Sequence, residues 1–278
     1  DERHPHGSSL LLRSGDALRQ LHTTSLAEHC SSSQNLGGAL ATGDLRTLRL
    51  NLATPIRHGR RARLRPAPAP LAIIQRDLLG LRRMPFAFAL GVGLTAAGAV
   101  LQTWGWGSTA VPLLAVVAGS LVTYLGVSVL SEGARGQSDT SYAPPLLGVT
   151  GQVEALAHVV TPAIGGLAVS LAVAAGLHPP SATGYLWPII AVPAAAGAAL
   201  VAAFRGIPAE GPIASSLALG AALIRYAAPV LVQLVVVSYV ARVLRQGDSS
   251  GWPTGVTAAA ALIAWGVDRA RKAAQPMI

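Results

Sequence analysis

The chain has 278 residues, 51% of them hydrophobic and only 12% charged, with a formal net charge of +9; soluble proteins usually carry about a quarter charged residues. The charge is concentrated: residues 1–85 hold 13 of the 21 basic and 6 of the 12 acidic side chains, leaving 8 basic and 6 acidic groups for the remaining 193 residues. So few charges cannot cover a soluble domain of that size, because charged side chains belong at the water-facing surface, and the second part of the chain therefore reads as membrane-embedded.

Residues 1–56 are polar, with short apolar periodicity in DALRQLHTTSLAEH and DLRTLRLNLA, for which Asp16 and Asp44 are candidate helix N-caps. SSSQNLGG reads as a flexible break between the two pieces. The stretch RHGRRARLRPAPAPLAII follows, and its Pro-Ala repeat reads as an extended linker. Residues 1–70 are thus expected to be a short basic, helical cytoplasmic region with a linker, and residues 71–278 a six-span transmembrane domain. The lone cysteine, Cys30, excludes a disulfide within the chain. No signal peptide is expected, and a start at Asp1 rather than Met is compatible with a piece of a longer membrane protein.

Leu71, Ile74, Leu78 and Leu81 recur at spacings of 3, 4 and 3, which predicts a helix with these on one face and Arg76 and Arg83 on the other. Such a helix can lie in the membrane interface with Arg76, Arg82 and Arg83 at the lipid surface, or pack on other protein. Crossing the hydrocarbon core takes roughly 20 mostly apolar residues. The candidate spans are Phe86–Trp106, Ala110–Leu130, Ala155–Gly176, Tyr185–Phe204, about Ile224–Leu244, and Gly255–Val267 with its flanks. Trp104, Trp106, Tyr185, Trp187, Trp252 and Trp265 fall near predicted span ends, where interfacial aromatics are common. Ile213–Leu244 is too short for two spans and long for one, so a kink at Pro229, or a short interfacial or re-entrant piece before the span, is expected there.

An inside amino terminus puts 13 juxtamembrane basic residues in the cytoplasm: 8 from Arg57 to Arg83, then Arg135, Arg205, Arg269, Arg271 and Lys272. Only Arg242 and Arg245 then face outside. The positive-inside rule selects this orientation, with both termini cytoplasmic, and the high-Ala/Arg, one-Lys composition suits a bacterial plasma membrane. The basic run Arg57–Arg65 has no interleaved aromatics, so anionic lipid rather than nucleic acid is its expected partner.

No enzymatic activity, cofactor or metal is expected. The only lysine is Lys272, so a Walker-type phosphate loop is excluded, and metal-spaced Cys/His clusters and a Gly-x-Ser-x-Gly elbow are missing. EGARG (Glu132–Gly136) faintly resembles a membrane phosphatidyltransferase signature, but the metal-binding carboxylates of that motif are not there. The most informative polar stretch runs from Ser131 to Pro162 and carries Glu132, Arg135, Asp139 and Glu154, with His158 just inside the third span. It reads either as an ordinary solvated loop or as a docking surface for a cytoplasmic partner.

A basic interfacial helix, RDLLGLRRMP, leads into six spans, and an acidic loop after the second precedes a span opening with LAHVVTP. In these features the chain resembles bacterial type-2 ABC exporter permeases, and in particular uncharacterised actinobacterial proteins in which two six-span halves are fused. The resemblance covers about residues 71–268. It implies a separate nucleotide-binding ATPase subunit, a second six-span half or a second copy, and a coupling helix within Glu132–Glu154 that docks on the ATPase. The short extracellular helices usual before the last span in that family are not evident, since only Gln246–Pro253 lies there. The competing class is a non-transporting membrane scaffold.

Among intramembrane polar side chains, His158 and Arg225 lie within about two turns of the cytoplasmic boundary, and snorkelling to the interface is the expectation for both. Gln233 and Tyr239 are deeper and could line a cavity or bond a neighbouring helix. Small-residue runs such as GLAVSLAVAAG and GAALVAAF point to close helix packing. The expected architecture is an all-α polytopic membrane protein with about six transmembrane helices and a preceding interfacial helix.

Overall fold

The computed structural model describes residues 65–108, 112–139, 148–179, 181–204 and 216–274, with the side chains of Asp139 and of residues 216–226 outside the description. The expected segments in residues 1–64 lie outside it. All described residues belong to one compact unit. Among them every regular element is helical: α1 (Ala69–Arg83), α2 (Pro85–Gly107), α3 (Pro112–Leu130), α4 (Glu132–Asp139), α5 (Gly151–Leu177), α6 (Ala182–Leu186), α7 (Pro188–Ala203), α8 (Ser216–Arg245) and α9 (Gly251–Ala273). The chain is an all-α, multi-pass membrane protein. Five stretches are long and apolar enough to cross a membrane: α2, α3, α5, α6 with α7 (Ala182–Ala203), and Ala227–Arg245 of α8. The segment expected as a sixth span forms the 23-residue α9, which is not among the five stretches apolar enough to cross a membrane. It is less apolar than the other five, because its last two turns carry Asp268, Arg269, Arg271 and Lys272.

Local chemistry sets the breaks. Pro85 disfavours helical geometry at Met84, which sits at φ −118°, ψ 68° and separates α1 from α2. Pro85 then serves as the first residue of α2, where its missing N–H costs nothing. Arg82 and Arg83 in the last turn of α1 complement the helix dipole. Thr150 caps α5, its Oγ1 accepting from Val153 N at 3.4 Å. Left-handed backbone at His178 (φ 48°) ends α5, and Ser181 Oγ accepts from Gly184 N at 3.3 Å to start α6.

Around Pro229 the backbone stays helical. Ser216–Arg245 is one 30-residue helix with Pro229 inside it. At 1.5 Å per residue it is about 45 Å long, more than the ~30 Å hydrocarbon core needs, so its first turns precede the described apolar span Ala227–Arg245.

The most intimate contact is between α2 and α3. Gly91, Gly98 and Gly105 recur every seven residues on α2, and Gly119, Gly126 and Gly133 do so on α3 and the start of α4. They meet in antiparallel register. A Cβ at Gly98 would lie 2.6 Å from Gly119 O and 2.4 Å from Thr123 Oγ1, and one at Gly126 would lie 2.8 Å from Gly91 O and 2.6 Å from Thr95 N. A seven-residue period keeps one seam facing its partner when helices supercoil left-handedly. Inside a bilayer, where lipid tails are as apolar as leucine, such backbone approach supplies the packing that hydrophobic burial cannot.

Around this hairpin, α7 forms the centre, almost wholly buried from Pro188 to Val201. It runs parallel to α9, with Gly255 against Ile190, Gly197 against Leu262 and Gly266 against Leu200. The core gathers Val127, Ala155, Val192, Ala195, Leu200 and Phe204 toward the α1 end, and Val116, Trp187, Ile190, Val237 and Val240 toward the other.

The seam gives a direct expectation for stability. Gly98→Val should lower the thermal unfolding midpoint in detergent, at a cost on the order of 1–3 kcal/mol for overpacking. Gly93→Ala, where a Cβ meets nothing within 4 Å, should be neutral or gain up to about 1 kcal/mol from helix propensity. Equal midpoints for the two variants would remove the seam's structural importance.

Candidate functional site

Position 77 of α1 is an acid in a helix whose other charges are basic. In the folded chain Ile73, Asp77 and Leu81 form one inward row at intervals of four, while Leu71 and Leu78 are exposed. The apolar face expected from Leu71, Ile74, Leu78 and Leu81 is therefore split: Leu81 packs inward, and Leu71 and Leu78 face outward, as an interfacial helix requires. The reason is tertiary, because the inward row is selected by what Asp77 meets.

Asp77 Oδ2 lies 2.7 Å from His158 Nδ1, and both side chains are buried. His158 Nε2 is 3.0 Å from Arg76 Nη2. A guanidinium can only donate, so Nε2 must be the acceptor and Nδ1–H the donor to the Asp77 carboxylate. This fixes one neutral tautomer of the imidazole. Arg76 Nη2 also donates to Gln137 Oε1 at 3.3 Å and stands 4.0 Å from Glu154 Oε1. Five side chains from α1, α4 and α5 thus meet at one end of the bundle. Gly133 completes the junction, since a Cβ there would lie 2.0 Å from Asp77 Oδ1. Only a glycine at the start of α4 lets that helix close over the carboxylate.

One expectation is corrected here. His158 does not snorkel; it is 1% exposed, held inward by partners on both ring nitrogens. Arg76, expected at the lipid surface, keeps part of its side chain exposed and contacts His158, Gln137 and Glu154. Arg82 is exposed at the helix end and Arg83 is half-buried.

Within α4, Arg135 bridges back to the end of α3 by donating to Ser128 Oγ, and Glu132 Oε2 lies 3.9 Å from its Nη1. Desolvation lowers the Arg135 pKa from its ordinary value, opposed by the nearby Tyr124. Glu154 is 8% exposed and faces the cluster. Of the four expected loop residues, Glu132 and Arg135 are therefore brought together on α4, and Glu154 belongs to the buried junction. Asp139 ends α4, and its side chain lies outside the described residues, as does that of Arg225.

The deeper pair separates. Gln233 is fully buried, with Nε2 3.5 Å from Ser120 O and Oε1 unpartnered, next to Gln102, which donates to Thr123 Oγ1 at 3.0 Å and Ser120 Oγ at 3.3 Å. Tyr239 is 59% exposed and turns outward. No family model, curated protein or solved structure matches the chain.

What the junction can do follows from its own groups. Both nitrogens of His158 are engaged, and the neighbour at Nε2 is a guanidinium rather than a hydroxyl or thiol. The pair therefore does not form a base poised against a nucleophile. Among the described residues no group of three His, Cys, Asp or Glu side chains is placed to hold a metal. The arrangement instead fixes the relative positions of α1, α4 and α5.

Sequence reasoning had singled out Arg76, Glu154 and His158 separately and missed Asp77, Gln137 and Gly133. The available signals were the lone acid of α1 and the seven-residue glycine period ending at Gly133.

A double-mutant cycle tests the geometry. Asp77→Ala and His158→Ala should each destabilise the detergent-purified chain strongly, by about 3–5 kcal/mol for an orphaned buried polar partner. The double variant should cost less than the sum, with a coupling of roughly 1–3 kcal/mol. Additive losses would mean that the two side chains do not touch.

Proposed function

We propose that the chain is the membrane-spanning permease part of an ABC-type exporter, driven by a separate ATPase subunit and completed by a second six-span half or a second copy. The observation that supports this reading is the position of α4: a short helix in the loop after the second span, keyed into α1 by Gly133 and Asp77 and into α5 through Gln137, Arg76 and Glu154. A push on α4 reaches the interfacial helix and the third span together. Closure of ATPase subunits at this end would be converted into movement of α1 and α5, and so into a change of access across the bundle.

In this reading the α4 residues Glu132 and Asp139 make the contact with the ATPase. Glu154, being buried, transmits the movement rather than making the contact. Both termini lie in the cytoplasm of a bacterial cell and the bundle in its plasma membrane, in keeping with 13 juxtamembrane basic residues on that side against two on the other. The interior offers apolar and small side chains with few charges, which suits a lipidic or amphipathic substrate.

The test is purification of the intact chain from its native membrane in mild detergent, with assay of ATP hydrolysis in what co-elutes. A stoichiometric ATPase should accompany the wild type. The charge reversals Glu132→Lys and Asp139→Lys together should reduce chain-dependent hydrolysis at least about tenfold, as expected for like charges set against each other at an interface, while leaving monodisperse elution unchanged. Elution without any nucleotide-binding partner would replace the permease reading with that of a membrane scaffold.

A further inference from the structure

The two nitrogens of His158 are held in chemically different ways. Nδ1–H donates to Asp77 Oδ2 at 2.7 Å, and Nε2 accepts from Arg76 Nη2 at 3.0 Å. A proton added to the ring leaves the first contact intact, because Nδ1–H donates in both states. It turns Nε2 from an acceptor into a donor and makes the ring positive. A guanidinium has no acceptor to offer and is itself positive, so the second contact does not survive protonation.

The consequence reaches a third helix. The same Arg76 Nη2 donates to Gln137 Oε1 of α4 at 3.3 Å and stands 4.0 Å from Glu154 Oε1 of α5. An arm repelled by the imidazolium therefore leaves Gln137 as well, and has the Glu154 carboxylate beside it to move onto. Asp77 keeps α1 on α5 throughout. Gly133 stays seated over Asp77 and Arg135 stays bonded to Ser128, so the release is confined to the turn of α4 that carries Gln137. Proton access requires one side chain to swing. His158 is 1% exposed, but Arg76, the partner on Nε2, has 39% of its own side chain exposed.

The charges that the ring answers to are those of Asp77, Arg76 and Glu154. α5 packs against α1, α2, α3, α4, α6, α7 and α9. Further along α1 lie Arg82 and Arg83 in the last turn. α2 and α7 carry no titratable side chain, α3 carries Tyr124, and α6 carries Tyr185 at the far end of α5. On α4 Glu132 pairs with Arg135, and the side chain of Asp139 lies outside the described residues. On α9 Asp268 pairs with Arg271 and Lys272, and Arg269 is half-buried.

We propose that His158 is a proton-operated latch. Neutral, it holds Arg76 and, through Arg76, the Gln137 turn of α4 on the α1–α5 pair; protonated, it stays on Asp77 and passes Arg76 to Glu154. Histidine is the side chain whose charge ordinarily changes between about pH 5 and 8. An amide at this position would bridge the same acceptor and donor without answering to a proton. The latch needs only the folded chain and does not depend on the permease reading.

The test measures the distance distribution between spin labels on α1 and α4 of the full chain in detergent. Gly80→Cys and Gly136→Cys supply the sites, since a Cβ at either glycine meets nothing within 4 Å, and Cys30→Ser removes the one native thiol. A single population at about pH 8 should be joined by a second, longer one as the pH falls, with a midpoint between about pH 5 and 8. His158→Gln keeps every carboxylate of the junction and removes the titrating ring, so the second population should not appear. If that variant fails to fold, Arg76→Gln, at a half-exposed side chain, should likewise give no change with pH. No second population in the wild type down to about pH 5 would overturn the latch. So would one that persists in His158→Gln or Arg76→Gln, which would trace it to the carboxylates instead.

Discussion

The approach of two glycine-lined helices is the contact on which the rest of the bundle depends. In lipid, helices gain little by hiding apolar side chains from one another, so association rests on how closely backbones can come and how many polar contacts they then share. At Gly98 and Gly119 the α2 and α3 backbones are so near that no side chain fits between them. This closeness also brings Gln102 within reach of Ser120 and Thr123 and fixes the line on which Gly133, one period further, meets α1. The interior polar contacts and the junction with α1 are consequences of a single register.

The two ends of the bundle are chemically unlike. At the α1 end, a carboxylate, an imidazole, an amide and a guanidinium are joined by hydrogen bonds across three helices, with Asp77 Oδ1 left unpartnered. At the far end, the buried N–H donors Trp106 Nε1, Trp187 Nε1 and Arg245 Nε lack acceptors. The first arrangement is suited to locking helices together, because each member loses a partner if any helix shifts.

The helical class and most helix positions were legible because they rest on length and apolar content. Phe86–Trp106 and Ala110–Leu130 differ from the folded α2 and α3 by only one or two residues at an end. The break at Met84 was legible from Pro85. Legibility failed where tertiary contacts overrode a local pattern. The periodicity of Leu71, Ile74, Leu78 and Leu81 is real, yet α1 is rotated so that Asp77 rather than Ile74 faces inward, a preference set by His158, 81 residues away. His158 read as an interfacial side chain because its two partners lie on a helix that only folding brings beside it. Trp187 looked like an interfacial aromatic for the same kind of reason: nearness to a span end says nothing about which way the ring turns.

The central position of α7 bears on how the protein is made. Its surface is mostly alanine, and part of that surface is covered by α9, which follows some fifty residues later in synthesis. Without α9, α7 would present to the bilayer a small-residue face with one glycine notch, at Gly197. In the folded chain Leu262 seats against Gly197 and covers that face. An interruption of synthesis within α9 would leave a chain that is inserted but not assembled, exposing the small-residue face that membrane quality control can distinguish from a finished helix pair.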